Sequence, residues 1–259
     1  MHETVQPPVV LVIAGNDPSG GAGLAADIQA ITALGAHPAP VVAALTVQDS
    51  VDVMRVKVVE PELVVEQAER VLADMPVKAV KLGLLGSAAT GSAVAGLLAQ
   101  HRHIPLVVDP VLAASGGGRL AEDALMEVYL KRLFPLAAVA TPNAAESRRL
   151  APAAADAAAR GAALLATGAA HILLKGADED TPEVVNSLFS RGARADLTWP
   201  RLPGSYHGSG CTLASGIAAL LARGTPVPEA VREAQRYTWQ ALERGFRPGR
   251  GQSIPARRL

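Results

Sequence analysis

Short apolar runs rich in β-branched residues alternate along the chain with Ala/Leu-rich segments whose apolar positions recur at helical spacing. The runs predict buried strands at Val9–Ala14, Pro40–Thr46, Val77–Leu82, Leu106–Val111, Ala137–Thr141 and Ala170–Lys175. Between them the periodicity predicts helices over Ala22–Leu34, Pro61–Met75, Ala88–His101, Asp123–Phe134 and Ala153–Thr167. Two more, Gly208–Arg223 and Pro228–Arg244, close the chain. Continuous apolar strands separated by helices indicate a parallel sheet covered on both faces. Two segments break the rhythm. Val51–Val59 alternates apolar and polar residues, as a half-exposed flap over the sheet edge would, and Val184–Phe189 with Arg194–Trp199 reads as a late β-ribbon. No linker, repeat or low-complexity tract divides the 259 residues, so one domain over 1–259 is expected, with short flexible termini at about 1–8 and 247–259.

Charge adds exclusions. Lys plus Arg and Asp plus Glu stand at 24 each, which leaves no broad basic field for nucleic acid or an acidic membrane. The basic C-terminus (Arg244, Arg247, Arg250, Arg257, Arg258) reads as a solvated tail, since no aromatic residues are interleaved for base stacking. A single cysteine excludes an intramolecular disulfide and a cysteine-based zinc cluster. The first residues lack a basic start followed by an apolar core, and the apolar runs are far shorter than a membrane span. A cytoplasmic protein is expected.

In open parallel sheets ligands bind beyond the carboxyl ends of the strands, and five segments of interest fall there. Gly15 to Gly23 after the first strand fits neither the dinucleotide nor the Walker spacing, but suits close approach of a helix start to a small ligand. Asp27, one turn into that helix, faces either the pocket or solvent. Asp109 ends a strand, where it holds Mg²⁺ or opens a turn with Pro110. Thr141-Pro142-Asn143-Ala144-Ala145-Glu146 reads by itself as a capped helix start. Lys175 ends an apolar strand, either to neutralise phosphate charge or to snorkel. His207-Gly208-Ser209-Gly210-Cys211-Thr212-Leu213 places backbone amides, a helix N-terminus and the lone thiol together. Such a terminus predicts a lowered thiol pKa. Glycine loops, strand-end carboxylates, a lysine and an anion hole suit phosphoryl transfer.

In order, Ala14-Gly15-x-Asp17-Pro18-Ser19-Gly20-Gly21-Ala22-Gly23, Gln48, Lys81-Leu82-Gly83, Val108-Asp109-Pro110-Val111, Thr141-Pro142-Asn143-x-x-Glu146, Leu174-Lys175-Gly176 and His207 to Thr212 resemble hydroxymethylpyrimidine/phosphomethylpyrimidine kinases of the ribokinase-like superfamily. The resemblance implies a three-layer α/β/α fold with a mostly parallel sheet and a small β-flap, and a homodimer. It implies ATP-dependent phosphorylation of 4-amino-5-hydroxymethyl-2-methylpyrimidine and then of its monophosphate, in thiamine biosynthesis. Carried over by position, Gly15, Asp27, Gln48 and Val111 line the pyrimidine pocket, and Asp109 and Glu146 organise Mg²⁺. Lys175, Asn143 and Thr212 face the nucleotide, and the amides of Gly208, Ser209 and Gly210 form the anion hole. Cys211 takes or positions the substrate hydroxyl proton, at a place where sugar kinases of the superfamily keep an aspartate. Departures include Ala177-Asp178 after Lys175-Gly176, where Gly-His is common, and Leu84 where a methionine is frequent. Pyridoxal/pyridoxine kinase activity and a catalytically idle ligand-binding relative are the alternatives.

Overall fold

The computed structural model describes residues 6–112 and 123–258. Nine strands form one sheet in the order β3-β2-β1-β4-β5-β6-β7-β8-β9. They are β1 (Val9–Asn16), β2 (His37–Gln48), β3 (Val53–Val58), β4 (Val77–Leu82), β5 (Leu106–Val108), β6 (Val139–Ala140), β7 (His171–Leu174), β8 (Glu183–Ser190) and β9 (Ala193–Pro200). Strands β2, β1, β4, β5, β6 and β7 pair in parallel, and β3, β8 and β9 extend the sheet antiparallel at its two ends.

Alternation along β1 shows how the layers arise. Val9, Leu11 and Ile13 enter one core while Val10, Val12 and Ala14 enter the other, because successive strand side chains point to opposite faces. Under the first face lie α2 (Pro61–Asp74), α3 (Ala88–Leu98), α4 (Asp123–Val128), α5 (Ala144–Leu150) and α6 (Ala157–Leu165). Under the second lie α1 (Gly23–Ala33), α7 (Ser209–Ala222) and α8 (Val227–Glu243). This is the expected three-layer α/β/α arrangement, and the half-exposed flap is β3 paired with β2 at the sheet edge. Among the described residues no helix is long and apolar enough to cross a membrane.

Several predicted boundaries shift for local reasons. β5 stops at Val108, because Val111 N–H turns back to the Asp109 carbonyl (2.9 Å) across Pro110. α6 starts at Ala157 rather than Ala153, because Asp156 accepts from the Ala159 amide and caps it there. The helix over Asp123–Phe134 continues past α4 as a π-turn at Tyr129–Leu133 and a 3₁₀ turn at Phe134–Leu136, which contains Pro135. The expected solvated tail fails at Arg257, which is 2% exposed. Residues 246–257 are instead tied down by a Phe246–Ile254 bridge, by Gln252 N–H to the Ser50 carbonyl, and by Ala256 N–H to the Ala241 carbonyl. Residues 1–5 and 259 of the expected flexible termini lie outside the described residues.

Candidate active site

β1 pairs with β2 on one side and β4 on the other, so the strand order reverses beside it and leaves a crevice beyond the strand ends. A cavity of about 710 Å³ opens there. The turn after β1 is held by Asp17, whose Oδ1 accepts the Ser19 amide at 2.8 Å and Oδ2 the Ala22 amide at 2.7 Å. His207 Nε2 lies 2.8 Å from the same Oδ2. Burial works against ionisation of Asp17, but the His207 and Ser19 side chains and the two amides bring its carboxyl below the usual range.

Across the cavity floor, α7 begins at Gly208, which takes φ +82°. A side chain there would run into the Gly21 carbonyl, so the two glycine elements meet backbone to backbone. Ser209, Gly210 and Cys211 form the first turn and line the cavity. A Cβ on Gly210 would lie 3.0 Å from Lys175 Nζ and 3.7 Å from Asp109 Oδ2, so these two side chains crowd the mouth of the helix. Lys175 donates to Asp109 Oδ1 at 2.8 Å, and Thr141 Oγ1 donates to the same oxygen at 3.1 Å. Burial opposes the Asp109 charge, yet Lys175 and Lys81 hold its carboxyl below the usual range.

Glu146 closes a capping box: Asn143 Oδ1 accepts the Glu146 amide and Glu146 Oε2 accepts the Asn143 amide. Burial pushes the Glu146 carboxyl up to about 7; Lys175 pulls it down and Asp109 pushes it up. The helix-start reading of this segment therefore holds, and the same carboxylate also lines the cavity. Among the described residues no three His, Cys, Asp or Glu side chains group as a metal cage. Two neighbouring carboxylates fit a cation held chiefly by water and phosphate oxygens, the usual manner of Mg²⁺.

Of the residues singled out in the sequence, Gly15, Gln48, Val111, Asn143 and Lys175 line the cavity. Two expected residues do not. Asp27 is 0% exposed beneath the cavity floor, where Lys81 Nζ donates to its Oδ1 at 2.8 Å and Ser215 Oγ at 2.7 Å. Thr212 is buried inside α7, donating to the Gly208 carbonyl and accepting from Arg257 Nε, both at 2.8 Å. The lowered thiol pKa expected at Cys211 is also overturned. Burial pushes the thiol up to about 11; Lys81 and a backbone hydrogen bond at Gly23 work against that, and Asp27 and Asp109 reinforce it.

The chain matches the phosphomethylpyrimidine kinase family model over residues 17–256. The chain belongs to the phosphomethylpyrimidine kinase family. It is 40% identical over 252 residues to a hydroxymethylpyrimidine/phosphomethylpyrimidine kinase of Streptomyces coelicolor, covering 95% of this chain and 93% of that one. It is 41% identical over 247 residues to a bifunctional thiamine biosynthesis protein of Geobacter sulfurreducens, covering 93% of this chain and 50% of that protein, so it spans half of that relative's length. The structure superposes on Staphylococcus aureus pyridoxal kinase in complex with AMP-PCP and pyridoxal, with a TM-score of 0.89 at 26% identity, covering 97% of this chain and 93% of that one.

Within this phosphomethylpyrimidine kinase fold, sequence reasoning gave no role to Lys81, which also lines the cavity. Burial disfavours its charge, but the Asp27 and Asp109 carboxylates keep it protonated. The available signal was a lysine near the carboxyl end of an apolar strand and within two residues of a glycine, in Lys81-Leu82-Gly83 as in Leu174-Lys175-Gly176. A further wall also went unforeseen: Trp199 stacks on Trp239 at 6.3 Å, and Trp199 Nε1 and Asn186 Nδ2 both donate to Gln235 Oε1.

Proposed function

We propose that this chain transfers the γ-phosphoryl group of ATP to the hydroxymethyl oxygen of 4-amino-5-hydroxymethyl-2-methylpyrimidine, and then to the resulting monophosphate. The observation that carries the reading is Cys211 on the first turn of α7, facing the same cavity as Lys175 and Asp109. The substrate oxygen forms a bond to the γ-phosphorus while the bond from that phosphorus to the leaving ADP oxygen breaks. Such transfers depend mainly on placement and charge stabilisation.

Gln48 supplies both a donor and an acceptor for an aminopyrimidine edge, beside Gly15 and Val111. The Ser209, Gly210 and Cys211 amides and the α7 dipole receive the charge on the transferred group. Lys175 adds a fixed cation at the same point. Asp109 and Glu146 would hold Mg²⁺, which when bound offsets charge on the phosphates. Burial pushes the Cys211 thiol up to about 11, which favours a role in placing the substrate hydroxyl over one in accepting its proton. That proton passes to the transferred phosphoryl group once the new bond exists.

Kinetics of Cys211→Ala and Cys211→Ser test this. Ala should lower kcat by about 10² with little change in KM for ATP, and Ser, which keeps a small hydrogen-bonding group, should retain more turnover. Equal loss in both would assign Cys211 to proton abstraction; no loss in either would remove it from the reaction.

A further inference from the structure

Within the basic C-terminus, Arg257 is a side chain that no part of the proposed chemistry uses. Arg257 lies one residue past the segment matched by the family and is 2% exposed. Its guanidinium meets four neutral acceptors. Nε donates to Thr212 Oγ1 at 2.8 Å, Nη1 to the Gly20 carbonyl at 3.5 Å and to Gln29 Oε1 at 3.3 Å, and Nη2 to the Gly21 carbonyl. The backbone that delivers it is anchored independently. Tyr237 donates to the Arg257 carbonyl at 2.8 Å, His207 N–H to the Ser253 carbonyl at 2.8 Å, and Gln252 N–H to the Ser50 carbonyl at 2.9 Å.

What this fork grips is the junction of the two glycine elements. Gly21 and Gly208 are in backbone contact, and a Cβ on Gly208 would also come within 2.7 Å of Arg257 Nη2. Thr212 completes a relay. Its hydroxyl accepts from Arg257, which leaves its proton directed to the Gly208 carbonyl at 2.8 Å, and its amide reaches that carbonyl at 3.0 Å. In a planar trans peptide the carbonyl and the following N–H point in opposite directions. Drawing the Gly208 carbonyl into the helix therefore aims the Ser209 N–H outward, into the cavity.

We infer that Arg257 is a positioning residue for the phosphoryl subsite, fixing the Gly208–Ser209 peptide through Thr212 and locking the Gly20–Gly21 turn against it. This rests on the reading of the α7 N-terminus as the place where the transferred group is stabilised. A preorganised amide of this kind acts on kcat more than on ground-state binding.

The test uses the full chain with Arg257→Ala, Arg257→Lys, Thr212→Val and the Ala/Val double variant, each melted and assayed for ADP release. Arg257→Ala should lower kcat by about tenfold or more with KM for ATP changed less than about threefold. Guanidinium ion below denaturing concentration should restore part of the loss. Thr212→Val should lower kcat as well, and in its background the Arg257 change should cost less than it does in the wild-type chain, because the part routed through Thr212 is already lost. Should Arg257→Ala not fold, Arg257→Lys, which keeps the charge without the fork, carries the same expectation. Wild-type kcat in the Arg257 variants, a loss that only tracks the unfolded fraction, or additive losses would overturn the inference. If the wild-type chain releases no ADP with any acceptor, the functional reading fails instead. The positioning claim is then decided by titrating inorganic phosphate and following the Ser209 amide resonance, which should shift in wild type and much less in Arg257→Ala.

Discussion

Replacing Lys81 by Met probes the buried pair that it forms with Asp27 at the cavity floor. Asp27 and Lys81 are both 0% exposed, and Asp27 Oδ1 receives Lys81 and Ser215 while its Oδ2 has no hydrogen-bond partner. Burial already pushes the Asp27 carboxyl upward against the pull of Lys81. Without Lys81 the carboxyl must take up a proton to stay in the core, whereas in the unfolded chain it ionises near 3.8. Holding it neutral at pH 7 costs about 4 kcal/mol at roughly 1.4 kcal/mol per pH unit, in line with about 3–5 kcal/mol for breaking a buried pair from one side. The sign follows from proton counts. The folded variant binds the Asp27 proton and the unfolded chain does not, so the penalty shrinks as pH falls toward 3.8. At pH 5 it should be about 1.6 kcal/mol. Urea denaturation of wild type, Lys81→Met and Lys81→Met/Asp27→Asn at the two pH values measures it, with the double variant recovering most of the loss. A penalty below about 1 kcal/mol at pH 7, or one independent of pH, would refute the buried charged pair.

Two further perturbations follow from the site's electrostatics. Cys211 should alkylate slowly with iodoacetamide at pH 8 and accelerate only as pH approaches its value of about 11; a rate plateau near neutrality would show a thiolate in the free protein. Glu146, pushed up to about 7 from 4.5, favours its protonated form in the folded chain. Wild-type stability should therefore gain on the order of 2 kcal/mol relative to Glu146→Gln as pH falls from about 7 to 4.5. Parallel pH profiles of the two melting curves would remove the buried carboxylic acid.

The sheet was legible because its strands carry uninterrupted apolar runs; β4 falls at Val77–Leu82 as periodicity predicts. Within such runs local pattern is strong, and only the ends drift, where Pro110 or an Asp156 cap intervenes. The cavity was legible wherever a residue ends a strand or opens a helix, as Gly15, Asp109, Lys175 and Cys211 do. What escaped was partnership over long sequence separation. Asp27 reads as a pocket carboxylate until Lys81, 54 positions away, is seen to hold it. Thr212 reads as a nucleotide contact until Arg257, 45 positions away, occupies its hydroxyl. The thiol illustrates a competition of effects: a helix N-terminus and Lys81 favour the thiolate, but desolvation of the sulfur, reinforced by Asp27 and Asp109, wins.

Pyrimidine kinase activity is measured as ADP release by the wild-type chain with Mg-ATP and, in parallel, 4-amino-5-hydroxymethyl-2-methylpyrimidine, its monophosphate and pyridoxal. Turnover is expected with the pyrimidine alcohol and with its monophosphate, each well above that with pyridoxal. Turnover with pyridoxal alone would contradict it.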